Sequence, residues 1–135
     1  MNTHSTLSTI DFSRLMPLVA TPAARVAKNT LERLDDKLAN ANVVEPQQMR
    51  PDVVTMNSKV LLASPAWQSA REYRLVYPGP NVCPTGDVSV LSVLGAELLG
   101  AQIGARFSLG SGPTYRVVEL VGLSYQPEAA GQWEL

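Results

Sequence analysis

Apolar residues near the start of the chain recur with the spacing of an α-helix. They fall at i, i+3, i+4 and i+7 and form one stripe: Phe12, Leu15, Met16 and Val19. Thr9 or Asp11 is expected to cap this helix at its start, because both side chains can accept a hydrogen bond from a free backbone amide. Pro17 is expected to shorten or bend it near its end.

A second helix is predicted to start at Thr21-Pro22, since threonine is a good N-cap and proline suits the first helical position. Its apolar residues alternate spacings of four and three, which is the seam of a coiled coil: Ala27, Leu31, Leu34, Leu38 and Ala41. Two such stripes joined by a few residues predict an antiparallel helical hairpin. A first helix of about ten to twelve residues limits the hairpin to roughly 15–18 Å.

The pattern changes at residues 45–52, where Pro46 and Pro51 interrupt both helix and strand. Beyond them, β-branched and aromatic residues predict strands at residues 53–62, 71–77, 88–91, 105–109 and 115–125. Residues 94–99 predict a short helix that ends at Gly100. The sequence thus predicts an α+β protein: a helical hairpin over 1–44, a linker over 45–52, and an antiparallel β domain with one short helix over 53–135.

Composition and charge exclude several classes of protein. The 135 residues are 45% hydrophobic, which suffices for a core, and the formal net charge of -1 offers no basic excess for bulk binding of nucleic acid. Cys83 is the only cysteine, so the chain has no internal disulfide. Residues 1–8 lack the features of a signal peptide, and no apolar run approaches the length of a membrane span. These features indicate a cytoplasmic protein.

The sequence also lacks the residues of a catalytic or metal site. His4 is the only histidine, so neither a catalytic triad nor a zinc cluster can be assembled from the usual residue types. No glycine-rich loop of the phosphate-binding kind follows a predicted strand. We therefore expect no catalytic residue, no metal and no cofactor.

Charges near the expected tip of the hairpin are basic. Residues 17–24 contain no carboxylate, and the nearest acids of the second helix lie further along it. Three cations lie closer to the tip: Arg14, Arg25 and Lys28. Two interpretations stay open, namely solubilising charges on an exposed arm and a weak basic contact for a partner or a nucleic acid.

Five segments, taken together, resemble a known family. In chain order they read VVTMNSKV at residues 53–60, LVYP at 75–78, VSVL at 88–91, LLG at 98–100 and YQPEAAG at 125–131. In this order they are similar to the Gre factors, which bind bacterial RNA polymerase. The match is to a short-armed branch whose members are named for an effect on nucleoside diphosphate kinase levels.

The resemblance implies an FKBP-like fold for the β domain and a docking site at the rim of the polymerase secondary channel. It further implies competition with Gre factors without transcript cleavage, and contact with DNA or RNA only through the polymerase complex. A two-helix hairpin fixed to its own sheet suits a monomer, although its alanine-rich seam also offers an apolar face to a partner. In Gre factors an Asp-Ser-Pro sequence after the third strand contacts the rim. The matching segment here is Leu91, Ser92 and Val93, followed by Leu94. Its apolar residues either form a docking surface or pack under the short helix.

Two other functions stay open. A regulator of this kind can act directly on nucleoside diphosphate kinase, without polymerase. An FKBP-like sheet also suggests prolyl isomerase activity as a remote alternative. That activity needs a pocket lined by several aromatic residues, and the chain has few of them.

Overall fold

The computed structural model describes residues 6–19, 28–65, 67–79, 86–109 and 112–132. The N-terminal part contains two helices between two short strands: β1 (Thr6–Ser8), α1 (Thr9–Leu18), α2 (Lys28–Ala39) and β2 (Asn42–Val44). The two strands pair in parallel, with Leu7 opposite Val43. The predicted helix start at Thr21-Pro22 and the hairpin turn lie outside the described residues. No described helix is long and apolar enough to cross a membrane.

The remainder is a five-stranded sheet that carries one helix. Its elements are β3 (Lys59–Ala63), β4 (Arg71–Val76), β5 (Asp87–Ser89), α3 (Val93–Leu98), β6 (Arg106–Leu109) and β7 (Arg116–Tyr125), with 3₁₀ turns at Pro46–Gln48 and Gly112–Thr114. The strand order is β5-β4-β3-β7-β6. The prediction of a mixed helix and sheet protein is therefore confirmed. The first of these 3₁₀ turns lies in the predicted linker, and both Pro46 and Met49 are buried there.

The prediction of a wholly antiparallel sheet is wrong at one edge, because β5 pairs with β4 in parallel. A tight turn of two to five residues would give an antiparallel pair. The connection between β4 and β5 instead spans residues 77–86, which is enough chain to return to the starting end of β4. All other pairs in this sheet are antiparallel.

The first predicted strand is also shorter than expected, since β3 starts at Lys59 rather than at Val53. Asn57 has a φ of 65°, in the left-handed region that asparagine tolerates better than most residues. The amide of Ser58 donates to the carbonyl of Thr55 and closes a turn at residues 55–58. Val53 and Val54 are nevertheless fully buried, so the apolar pattern here marked burial rather than a continuous strand.

Helix α1 faces the core with most of its predicted stripe, since Leu15 is in the core cluster and Phe12 and Val19 pack against it. Asp11 and Leu15 are buried, whereas Met16, expected on the inner face, is 47% exposed. Asp11 does not cap the helix and neither does Thr9. Ser8 is the N-cap, and its Oγ accepts a 3.1 Å hydrogen bond from the backbone amide of Asp11. Met16 departs from the prediction because the inner face of α1 includes the carboxyl group of Asp11, which an apolar pattern does not register.

Helix α2 buries the described part of its predicted stripe; Ala27 lies outside the described residues, and the side chain of Leu31 is not among those described. Leu34 and Leu38 belong to the same core cluster as Leu15, with Ala41 packed against it. On its other side α2 contacts α3, because Lys37 Nζ donates to the carbonyls of Glu97 and Leu99 at 2.9 and 2.8 Å. Burial lowers the pKa of Lys37 from 10.5 to about 8, although nearby Glu97 opposes the shift. Lys37 therefore satisfies carbonyl groups at the end of α3 and fixes α2 on the β domain.

Gly95 sets how closely α3 approaches the end of β5. A Cβ atom at this position would lie only 1.9 Å from the carbonyl oxygen of Ser89. Because this neighbour is backbone, relief requires the helix or the strand to move. A glycine at position 95 thus allows the chain to turn from β5 into α3.

We expect Gly95→Ala to lower the free energy of unfolding by about 2–3 kcal/mol, the upper range for overpacking a buried site. Urea denaturation measures this change. Gly86→Ala is the matched control, because a Cβ there meets nothing within 4 Å. It should change the stability by less than about 1 kcal/mol. Equal effects of the two substitutions would contradict the role given to Gly95.

Candidate partner-binding surface

The segment singled out in the sequence, Leu91 to Leu94, joins β5 to α3. Ser92 is the N-cap of α3, and its Oγ accepts a 3.0 Å hydrogen bond from the amide of Gly95. The same hydroxyl donates to the carbonyl of Ser89 at 2.6 Å. Ser89 Oγ in turn accepts from the amide of Leu91 at 3.1 Å. These bonds hold the segment in one conformation, so its outward side chains are presented on a fixed support.

Only one apolar side chain of this segment is strongly exposed. Val93 is 61% exposed at the first position of α3, whereas Leu91 and Leu94 are partly buried and pack against the core cluster. Leu91 and Leu94 therefore fit the packing interpretation. A docking contact stays a prediction, with Val93 as its exposed candidate and with Ser92 occupied by the cap.

Of the three basic residues expected near the hairpin tip, only Arg14 has a side chain that the structure describes. The side chain of Arg14 is exposed and lies close to Asp11 and Tyr77. Arg25 lies outside the described residues. Lys28 begins α2, but its side chain is not among those described. A basic contact at the tip therefore stays a prediction.

Two of the segments that carried the family resemblance contact each other. The hydroxyl of Thr55 donates to Glu128 Oε1 at 2.6 Å and lies 2.8 Å from the hydroxyl of Ser58. Ser58 Oγ also accepts from the amide of Thr55 at 3.0 Å. Glu128, for which the sequence suggested no role, thus holds the turn at residues 55–58. A single sequence contains no signal that Thr55 and Glu128, which are far apart in the chain, lie close together in the fold.

Gln126 provides a second link between the same segments. Its side-chain amide donates to the carbonyls of Arg50 and Val53 at 2.8 and 2.7 Å, while its oxygen accepts from the amide of Ala129 at 3.1 Å. Gln126 is buried, so these partners replace the water it loses. The C-terminal segment therefore closes over the start of the β domain.

Asp11 connects helix α1 to this region. Its Oδ2 accepts a 3.0 Å hydrogen bond from the backbone amide of Met56, within the turn at residues 55–58. Burial raises the pKa of Asp11 from 3.8 to about 7 and outweighs the amide of Met56, which lowers it. The carboxylate of Glu128 raises the pKa further, and the guanidinium of Arg14 lowers it.

A cavity of about 600 Å³ lies between α2 and the turn that leads into β6. Charged side chains line it, and Phe107 is its one aromatic lining residue among the described residues. Arg33, on its wall, is paired with Glu97 at 2.6 Å. No group of three or more metal-ligating side chains occurs in the described part of the chain. The cavity is polar and open, unlike the apolar, aromatic-lined pockets typical of small-molecule sites.

Comparison with known proteins assigns the fold to a family. The model of the C-terminal domain of GreA/GreB transcription elongation factors matches residues 48–125. A solved GreA/GreB transcription elongation factor from Nitrosomonas europaea is 28% identical and superposes with a TM-score of 0.76. The match covers 92% of this chain and 100% of that one.

Curated relatives agree with this assignment. The regulator of nucleoside diphosphate kinase from Escherichia coli strain K12 is 33% identical over 131 residues, 96% of this chain and 95% of that protein. The transcription elongation factor GreA of Thermodesulfovibrio yellowstonii is 24% identical over 96 residues, 71% of this chain and 61% of that protein. The family resemblance seen in the sequence is thereby confirmed, and this chain belongs to the GreA/GreB family of transcription elongation factors.

Proposed function

We propose that this protein is a transcription regulator that binds bacterial RNA polymerase at the entrance of the secondary channel. In this proposal it occupies the entrance in competition with Gre factors and does not promote transcript cleavage. Its effect on nucleoside diphosphate kinase levels then follows from altered transcription. The protein acts by binding, in the cytoplasm and as a monomer, rather than as an enzyme.

The observation that carries the proposal is the exposed Val93 on the segment that matches the rim contact of Gre factors. Several large apolar side chains are exposed among the described residues, and Val93 differs from the others by its place on this matching segment. Its support is fixed by the Ser92 cap and by the close approach at Gly95. The surface therefore needs little ordering on binding, which favours affinity from a small contact.

The shape of the N-terminal part supports occupancy without cleavage. Helix α1 has 10 residues, so it extends only about 15 Å. The expected tip at residues 17–24 has no carboxylate to hold a magnesium ion. An antiparallel hairpin of α1 and α2 on an FKBP-like domain is the arrangement we propose for the whole. Such an arm fills the entrance without supplying a metal ligand deep in the channel.

A pull-down from bacterial lysate tests the docking contact through Val93→Asp. Aspartate at the first position of α3 interacts favourably with the positive end of the helix, so the variant should fold. We expect recovery of polymerase to fall at least about tenfold, because a charge would be desolvated in an apolar contact. Leu91 is left unchanged since it packs on the core.

Ile103→Asp is the matched control, since Ile103 is 45% exposed and lies on the turn after α3. It places the same charge on another exposed apolar residue and should retain polymerase. Equal loss with both variants would argue against a specific contact at Val93. Recovery of nucleoside diphosphate kinase alone would instead favour the direct regulator, which is the alternative suggested by the name of the Escherichia coli relative.

A cleavage assay tests the second part of the proposal. Added to a backtracked polymerase complex, the protein should leave the RNA at its original length. Preincubation with the protein should slow the cleavage that a GreA factor promotes, and Val93→Asp should restore the rate. Gel analysis of end-labelled RNA measures both effects. Shortened RNA in the absence of GreA would contradict the proposal.

A further inference from the structure

One edge strand of the sheet, β6, has no partner on its outer side. The strand order β5-β4-β3-β7-β6 leaves β6 with β7 as its neighbour, and no other strand of the described residues pairs with it. In this antiparallel pair Phe107 lies opposite Val118, and Arg106 lies opposite Glu119. Arg106 and Ser108 are both exposed. The proposed function makes no use of this edge.

The backbone of β6 carries hydrogen-bonding groups that face away from β7. In an antiparallel pair every second residue bonds to the neighbouring strand, and the residues between direct their backbone groups outward. The carbonyl of Ala105 accepts a 2.9 Å hydrogen bond from the amide of Leu120, so position 105 is a bonded one. Phe107, two residues on, is bonded likewise, and the amides and carbonyls of Arg106 and Ser108 face the open edge. They lie about 7 Å apart along the strand, which is the spacing that an added strand requires.

Arg106 gives the edge a preference for an acidic partner. Its guanidinium lies 3.5 Å from Glu119, and the two side chains are 73% and 40% exposed. An ion pair so long and so exposed contributes little, and the guanidinium keeps donors for a second carboxylate. Within the β6–β7 pairs, Arg106 and Arg116 are the cations and Glu119 is the one carboxylate. A carboxylate on an added strand opposite Arg106 is therefore favoured.

Exposed apolar side chains on the same face add a second preference. Arg106 and Ser108 share the outer face of the sheet, because the intervening Phe107 is buried. Val117, opposite Ser108, is 36% exposed, and Tyr115, whose hydroxyl lies 3.2 Å from that of Ser108, is 56% exposed. Since Ser108 is small, a long apolar side chain opposite it on an added strand can extend across it to these two residues. Covering them removes apolar surface from water.

We propose that β6 accepts an extended segment of a partner protein as an additional antiparallel strand. This segment carries a large apolar residue opposite Ser108 and, two positions later, an acidic residue opposite Arg106. The residue between them alternates to the other face, toward the polar cavity of about 600 Å³ that Phe107 lines, so a small polar side chain fits there. The edge is built without Val93, so the proposal does not depend on the contact with polymerase.

A peptide titration followed by amide NMR shifts tests the edge in the full-length protein. The probe is the acetylated and amidated peptide Thr-Leu-Thr-Glu-Thr, in which leucine lies opposite Ser108 and glutamate opposite Arg106. We expect saturable shifts at the amides of both residues with a Kd of about 1 mM, weak because a short peptide loses conformational freedom. No shift at either amide with up to about 10 mM peptide would overturn the proposal.

Two N-methylated forms of the probe separate strand pairing from side-chain contact. In the proposed pair the leucine and glutamate amides donate to β6, whereas the amide of the central threonine points away. N-methylation of the leucine amide should weaken binding at least about threefold, because a hydrogen bond is lost. N-methylation of the central threonine is the matched control and should change the affinity by less than about twofold. Equal losses would overturn the proposal.

Ser108→Pro tests the same bond from the side of the protein. Proline is tolerated on an edge strand where its nitrogen faces outward, so the bonds to β7 should remain. Ser108→Ala is the matched control, because both variants lose the hydroxyl and only proline loses the amide. With the Arg106 amide as reporter, we expect Ser108→Pro to bind the peptide at least about threefold more weakly than Ser108→Ala. Equal affinities would argue against strand addition.

Exchange of charges tests the acidic preference. A probe with lysine in place of glutamate should bind about threefold more weakly to the wild type, and Arg106→Glu should reverse the order of the two probes. Equal binding of the two probes to the wild type would overturn the proposal. In the absence of peptide, shifts at Arg106 and Ser108 that grow with protein concentration would overturn it in favour of a second copy of this chain.

Discussion

The turn at residues 55–58 is the constraint on which the arrangement of the two parts of the molecule depends. Its backbone is fixed by the left-handed conformation of Asn57 and by the Thr55–Ser58 hydrogen bonds. Glu128 reaches it from beyond β7, and Asp11 reaches it from α1. Because buried polar groups need hydrogen-bond partners, removing the side chain of Asp11, Thr55 or Ser58 breaks a bond made by another buried group of this region. The turn thus joins the first helix, the start of the sheet and the C-terminal segment.

Regular patterns in the sequence predicted the elements that depend on burial alone. The seam on α2 placed Leu34 and Leu38 correctly in the core, and runs of β-branched residues located most of the strands. The parts missed depend on contacts between residues distant in the chain. The parallel strands β1 and β2 have 3 residues each and hold each other in place. The inward turn of Asp11 is likewise set by Met56, 45 positions away.

In the candidate docking segment, Leu91 to Leu94, some features were likewise predictable from the sequence and others were not. Its position was predictable from the family resemblance, but the exposure of its residues was not, because apolar residues at 91, 93 and 94 look alike in a sequence. The Ser92 cap decides between them, since it fixes where α3 starts and therefore which side chains face outward. Gly95 then sets the depth at which the helix lies on β5. A rigid start of α3 leaves Val93 as the exposed member.

The location of a carboxyl group decides which cation it binds. An exposed acid at the tip of a hairpin keeps its ordinary pKa and is ionised at neutral pH, which suits a magnesium ion. A buried acid such as Asp11 loses hydration, so its ionised form is disfavoured and a proton becomes its preferred partner. In this chain the expected tip has no acid, and the acid of α1 faces the domain. The carboxyl group of α1 is therefore placed to hold the helix to the domain rather than to assist a reaction.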